Sequence, residues 1–212
     1  MEILTGSILT YMVVTMITPG PNNLTMLFIG ANYGFLGTRK FLIASTVTFF
    51  IKVMLCGFLN VVLESYIPVA IVYLKWFGVL YMLYLGYVMA ISGWKQDKDN
   101  VVKDDNNTDV IEKRDNQTNN NFGYMSAVIL QTLNVKSWIT CLSLYAVYVM
   151  DKTADTWTMF IVGVIYTAIM IVASSAWGLL GSSLKSFIDK HRKPFGIIMG
   201  LSMLYAIAGI LK

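Results

Sequence analysis

The sequence predicts an all-α polytopic membrane protein: six transmembrane helices forming two inverted three-helix repeats, with the first helix of each half interrupted. Three observations carry that reading. Hydrophobic residues make up 56% of the 212-residue chain and charged residues only 13%, against about 45–50% and about 25% in a soluble domain. Long apolar segments recur at about 4–28, 41–63, 69–93, 123–149, 156–180 and 195–211. Polar residues break into the first and the fourth of them.

Runs of about 20 apolar residues cross a bilayer as helices, because lipid offers backbone N–H and C=O groups no partners. A transmembrane β-barrel would instead show short alternating segments. The chain opens with Glu2 rather than a basic stretch, so its first apolar run reads as a span and not as a cleaved signal. Residues 1–94 then form one three-helix half and 122–212 the other. Between them, 95–121 is charged and Asn-rich with almost no large apolar residues, the composition of a flexible linker.

Loop charge gives an orientation. The connections after spans 1, 3 and 5 hold eleven Lys and Arg, against Lys152 and Lys212 on the other side. The positive-inside rule places the charge-rich loops, including the linker, in the cytoplasm and both termini outside. The two triplets are then antiparallel, as in an inverted repeat. The net charge of +4 sits in these loops and not in a basic-aromatic stripe, so no nucleic-acid partner is expected. Cys56 and Cys141 stand singly in apolar segments, and His191 is the one histidine, so neither a metal site nor a cofactor is expected.

The first interruption is Thr18-Pro19-Gly20-Pro21-Asn22-Asn23. Pro19 and Pro21 deprive the carbonyls of Thr15 and Ile17 of helical donors. A second half-helix is expected to start near Asn22, its free N–H groups and positive dipole end suited to a carboxylate. The stranded carbonyls suit an ammonium. A simple proline kink is the alternative. The second interruption holds Gln131, Asn134, Lys136 and Ser137. Lys136 lies about 12 residues into span 4, roughly 18 Å deep and slightly past the midplane of a core about 30 Å thick. Ionisable residues at such depth face polar cavities and mark pathways; a structural pairing with a carbonyl or Asn is the alternative. Lys52, halfway along span 2, is open between pathway and structure. Lys75, beside Trp76, reads as snorkelling to the interface. Glu64, Asp151, Asp155 and Asp189 lie at span ends, where solvation is expected. With no Asp or Glu in mid-span, a proton relay would need a lysine, a tyrosine or the substrate itself. Gly30 and Gly34, Gly196 and Gly200, Gly78 and Gly86, and Gly178 and Gly181 suit close helix packing, within the chain or across a homodimer.

Together, the Thr18–Asn23 element, the glycines at Gly30, Gly34 and Gly37, the Gly78–Gly86 stretch and Asn134-Val135-Lys136 resemble the LysE/RhtB family of bacterial amino-acid exporters, over essentially the whole chain. Gln131 with Asn134-Val135-Lys136 is similar to the variant in the family's cysteine/O-acetylserine exporter branch. The family's usual element is Asn-Pro-Lys; here the proline is missing, and with it the proline argument for a break in span 4. The resemblance implies a proton-driven secondary transporter that exports small amino acids across the inner membrane. Its substrate-binding candidates are Pro19, Gly20, Pro21, Asn22, Asn23, Gln131, Asn134 and Lys136, with Lys52, Tyr81 and Tyr84 as candidate pathway residues. No catalytic residue is expected. Two competing readings remain: a membrane thiol oxidoreductase pairing Cys56 with Cys141, and a channel or structural membrane subunit.

Overall fold

A computed structural model describes residues 6–58, 72–73, 75–91, 122–149 and 156–211. The 95–121 linker, the outer end of span 2, Glu64, Asp151, Lys152 and Asp155 lie outside the described residues, as does the side chain of Asp189. All regular structure among the described residues is helical: α1 (Gly6–Ile17), α2 (Pro21–Tyr33), a 3₁₀ turn (Phe35–Thr38), α3 (Arg39–Phe58), α4 (Lys75–Ile91), α5 (Tyr124–Leu133), α6 (Val135–Ser143), α7 (Thr156–Ser183), α8 (Lys185–Lys190) and α9 (Arg192–Leu211). A π-helical stretch, Leu144–Val149, prolongs α6.

Among the described residues, three helical stretches are long and apolar enough to cross a membrane: Phe35–Phe58, Thr156–Ser183 and Lys193–Leu211, with mean hydropathies of 2.0, 2.1 and 1.9. Taking α5 and the α6 stretch as one broken span, bent by 57°, gives a fourth. The expected six are not all seen as continuous helices, and span 1 shows why. It divides into α1 and α2, of 12 and 13 residues, each too short to cross alone. End to end they reach roughly 38 Å, more than the core requires.

Both breaks follow from local chemistry. At the first, Pro21 sits at the opening of α2, where its missing N–H costs nothing. Gly20 precedes it in extended backbone. At the second there is no proline. Asn134 stops α5 instead and caps α6, its side chain accepting from the Ser137 N–H at 3.4 Å. At its far end α2 stops at Gly34, whose φ of 77° favours glycine. Gly34 is therefore a turn residue and not a packing one.

Helix contacts are made by the other glycines. A Cβ on Gly30 would run into the Gly178 carbonyl, and one on Gly181 into that of Leu27, so α2 and α7 meet backbone to backbone. Gly196 and Gly200 do the same for α9 against Met89 and Gly86 of α4. Lys75 reaches the Leu211 carbonyl at 3.2 Å from a half-buried position at the end of α4.

Two apolar clusters result. One gathers Phe28, Ile29, Phe41, Leu85, Leu130 and Met203; the other Ile8, Met12, Val53, Leu144, Tyr145 and Tyr166. Helix α1 contributes to the second cluster and α2 to the first; α6 and α5 divide likewise. Each break thus falls at the boundary between the clusters. That boundary is a buried polar layer containing Asn22, Asn23, Lys52, Gln131, Asn134, Ser137, Thr167 and Ser174.

Candidate functional site

The helix ends left open at the breaks are covered by side chains in a matched pattern. In the first half the Ile17 carbonyl accepts from the Trp177 indole at 3.2 Å, and the Thr18 carbonyl from Lys136 Nζ at 3.1 Å. Asn23 Nδ2 adds bonds to the Met16 and Thr18 carbonyls at 2.7 and 3.2 Å. In the second half the Thr132 carbonyl accepts from the Trp138 indole at 2.8 Å, and the Gln131 carbonyl from Lys52 Nζ. One lysine and one tryptophan therefore attend the negative end of each first half-helix.

A chamber of about 40 Å³ lies between the breaks, lined by Thr15, Met16, Thr18, Gly20, Asn22, Asn23, Phe49, Gln131, Asn134, Lys136, Ser137, Thr140, Met170 and Ser174. That exceeds the roughly 10–15 Å³ needed by one water. None of the lining residues is acidic. Asn22 gives its amide N–H to Ser174 Oγ at 3.0 Å, which leaves Asn22 Oδ1 buried without a partner. Gln131 Oε1 is the second buried acceptor without one. Their residues are 8% and 2% exposed, and buried polar atoms are ordinarily satisfied, so two orphans on residues that line one chamber call for a donor. The opening turn of α2, where N–H groups lack intrahelical acceptors, meets the same space through Asn22 and Asn23. The chamber lining thus brings together Lys136, the opening turn of α2 and the two residues that carry idle acceptors.

Six of the eight substrate-binding candidates line this chamber: Gly20, Asn22, Asn23, Gln131, Asn134 and Lys136. Pro19 and Pro21 face a larger groove against α9, which Gly20 and Lys136 also line. The carbonyls freed by the prolines are not all open to an ammonium as expected, because Trp177 holds that of Ile17. Lys52 is 2% exposed and stands behind the chamber wall, bonded to the Gln131 carbonyl and to Ser137 Oγ at 2.5 Å, with the Trp138 ring 5.0 Å away. Tyr81 donates to the Ser126 carbonyl at 3.1 Å and Tyr84 is about half exposed; neither lines the chamber or the groove.

A family model described as a LysE type translocator matches residues 13–210. The chain belongs to that family. It is 24% identical over 209 residues to a cysteine/O-acetylserine efflux protein of Shigella flexneri, covering 98% of this chain and 97% of the relative. It is equally 24% identical over 202 residues to the protein of that name from Escherichia coli O1:K1 / APEC, covering 95% and 94%. No solved structure matches the chain.

A LysE type translocator is a membrane transporter and not an enzyme, which removes the oxidoreductase reading. The structure does bring Cys56 and Cys141 together, as free and fully buried thiols in contact, but neither lines the chamber of the translocator. The residues that sequence reasoning missed are Ser174, Thr140, the apolar lining of Met16, Phe49 and Met170, and the two tryptophans. Ser174-Ser175 inside the most apolar span was the available signal for the first; nothing in the sequence distinguished Trp138 and Trp177 from interfacial anchors.

The prolines of the translocator's first break are testable now. Pro19→Ala with Pro21→Ala restores two backbone donors and allows α1 and α2 to join. Turnover in a flux assay is expected to fall by roughly tenfold or more as the chamber residues shift. Unchanged turnover would mean that Asn23 and Lys136 hold the break by themselves.

Proposed function

We propose that this transporter exports small neutral amino acids or their derivatives, of the cysteine and O-acetylserine kind, across the bacterial inner membrane by alternating access. The observation that carries the reading is the pair of orphan acceptors, Asn22 Oδ1 and Gln131 Oε1, on residues that line the same chamber as Lys136. The substrate carboxylate binds Lys136 and the N–H groups at the start of α2. Its ammonium binds the two orphan oxygens. Met16, Phe49 and Met170 leave only soft, apolar surface for its side chain.

The proposed frame is six spans in two inverted repeats, with the charge-rich loops in the cytoplasm, both termini outside and protons as the coupling ion. A break at a polar element in the first helix of each proposed half, α1 to α2 and α5 to α6, supports the repeat. With no acid lining the chamber, a coupled proton travels on a lysine or on the substrate.

Counterflow in proteoliposomes loaded with single amino acids tests the function. Small neutral amino acids are expected to give a saturable, transient overshoot of labelled solute. A channel would give flux without overshoot. Gln131→Leu removes one idle acceptor while preserving bulk, and KM is expected to rise roughly tenfold or more, the effect of one hydrogen bond to a charged group. An unchanged KM would take Gln131 out of the site.

A further inference from the structure

We propose that the groove between the first break and α9 is the outer half of the transport path, and that the Lys136 side chain is the barrier between it and the smaller chamber. This rests on the export reading above and adds a route and a gate to it.

The groove encloses about 750 Å³, within the roughly 300–1,000 Å³ range of small-molecule sites. Thr18, Pro19 and Pro21 form one wall; Ser202, Tyr205 and Ala206 of α9 form the other. Thr18, Gly20 and Lys136 border both the groove and the chamber. Lys136 is tied across that border by its bond to the Thr18 carbonyl. A solute moving from one space to the other has to displace it, and a carboxylate is the group best able to do so.

The groove's contents follow from its walls. Unwound backbone and an ammonium at membrane depth are tolerated where they line water, not where they meet acyl chains. A proline–glycine break and Lys136 on one wall therefore call for a hydrated groove. Its α9 residues run toward Leu211, the end that the loop charges place outside. On the other side of the chamber, α2 and α7 touch through Gly30, Gly178 and Gly181 and leave no passage between these two helices. The proposed state is therefore a carrier open outward through the groove, with the α2–α7 seam closed on the inner side.

Thiol labelling of the full-length protein in its membrane tests this. The native cysteines are fully buried and supply the blank. Ser202→Cys and Ala206→Cys are expected to react with an external, membrane-impermeant anionic methanethiosulfonate roughly tenfold or more faster than Leu201→Cys, because the reactive thiolate forms only where water reaches. Leu201 is 57% exposed on the same helix but outside the groove. Equal, slow rates at all three positions would mean a lipid-filled groove and would overturn the path.

Thr140→Cys, on the chamber side, is expected to react slowly with Lys136 present and roughly tenfold faster with Lys136→Ala, the thiolate becoming reachable. The reagent is anionic, so losing the lysine's attraction alone would slow it, and acceleration reports an opened passage. Equal rates would overturn the barrier. Labelling needs no transported solute. Fast labelling without amino-acid counterflow would therefore count against the export reading and leave the path standing.

Discussion

Lys136→Ala is expected to reduce export to background while the protein still inserts and purifies as a monodisperse species. The side chain has two tasks in this account. It supplies the chamber's cation, and a charge-assisted bond to a carboxylate contributes about 1.5–3 kcal/mol, or roughly 10- to 150-fold in binding. It also covers the Thr18 carbonyl at the first break. Because Asn23 bonds to the same carbonyl, losing Lys136 does not orphan it, and folding should survive. Initial efflux rates from loaded proteoliposomes, normalised to reconstituted protein, decide the matter. Near-normal rates would remove Lys136 from the site.

Gly30→Ala and Gly181→Ala are expected to damage folding rather than transport chemistry. Each added methyl would meet a backbone carbonyl of the partner helix, which cannot swing aside as a side-chain tip can. Overpacking of this kind costs about 1–3 kcal/mol, and both contacts lie on the one α2–α7 interface, so the double variant should lose most of its yield. Gly6→Ala is the control: nothing stands within 4 Å of its added methyl. Thermal melts of detergent-solubilised protein would show the two classes. Equal melting temperatures for all three single variants would mean that α2 and α7 are not in backbone contact.

How much of this was legible in the sequence varied with the kind of signal. The first break was fully legible, because Pro19 and Pro21 act on their own chain through missing donors and ring clashes. The polar surround of Lys136 was legible from its place in span 4, since a charge expected so far inside hydrocarbon needs one. The second break was legible in position but not in cause. Without a proline, it depends on Asn134 capping its own next turn and on Lys52 and Trp138 taking the carbonyls of Gln131 and Thr132. Those partners are tertiary neighbours, and no spacing along the chain announces them. Lys52 shows the same limit. Its depth marked it as unusual, yet only packing reveals that it grips the chamber wall from behind. Gly34 misled for a related reason. Four-residue spacing from Gly30 suggests helix packing, while its positive φ makes it the end of α2.

The central claim is that one chamber reads both ends of a zwitterion. Competition in the counterflow assay tests it most directly, using a transported amino acid, its methyl ester and its des-amino acid. The ester keeps the ammonium and loses the carboxylate; the des-amino acid does the reverse. The amino acid should compete at its own KM, with each analogue weaker by roughly tenfold or more, since each leaves Lys136 or the two orphan acceptors unpaired. Competition by either analogue as strong as that of the amino acid itself would contradict the account.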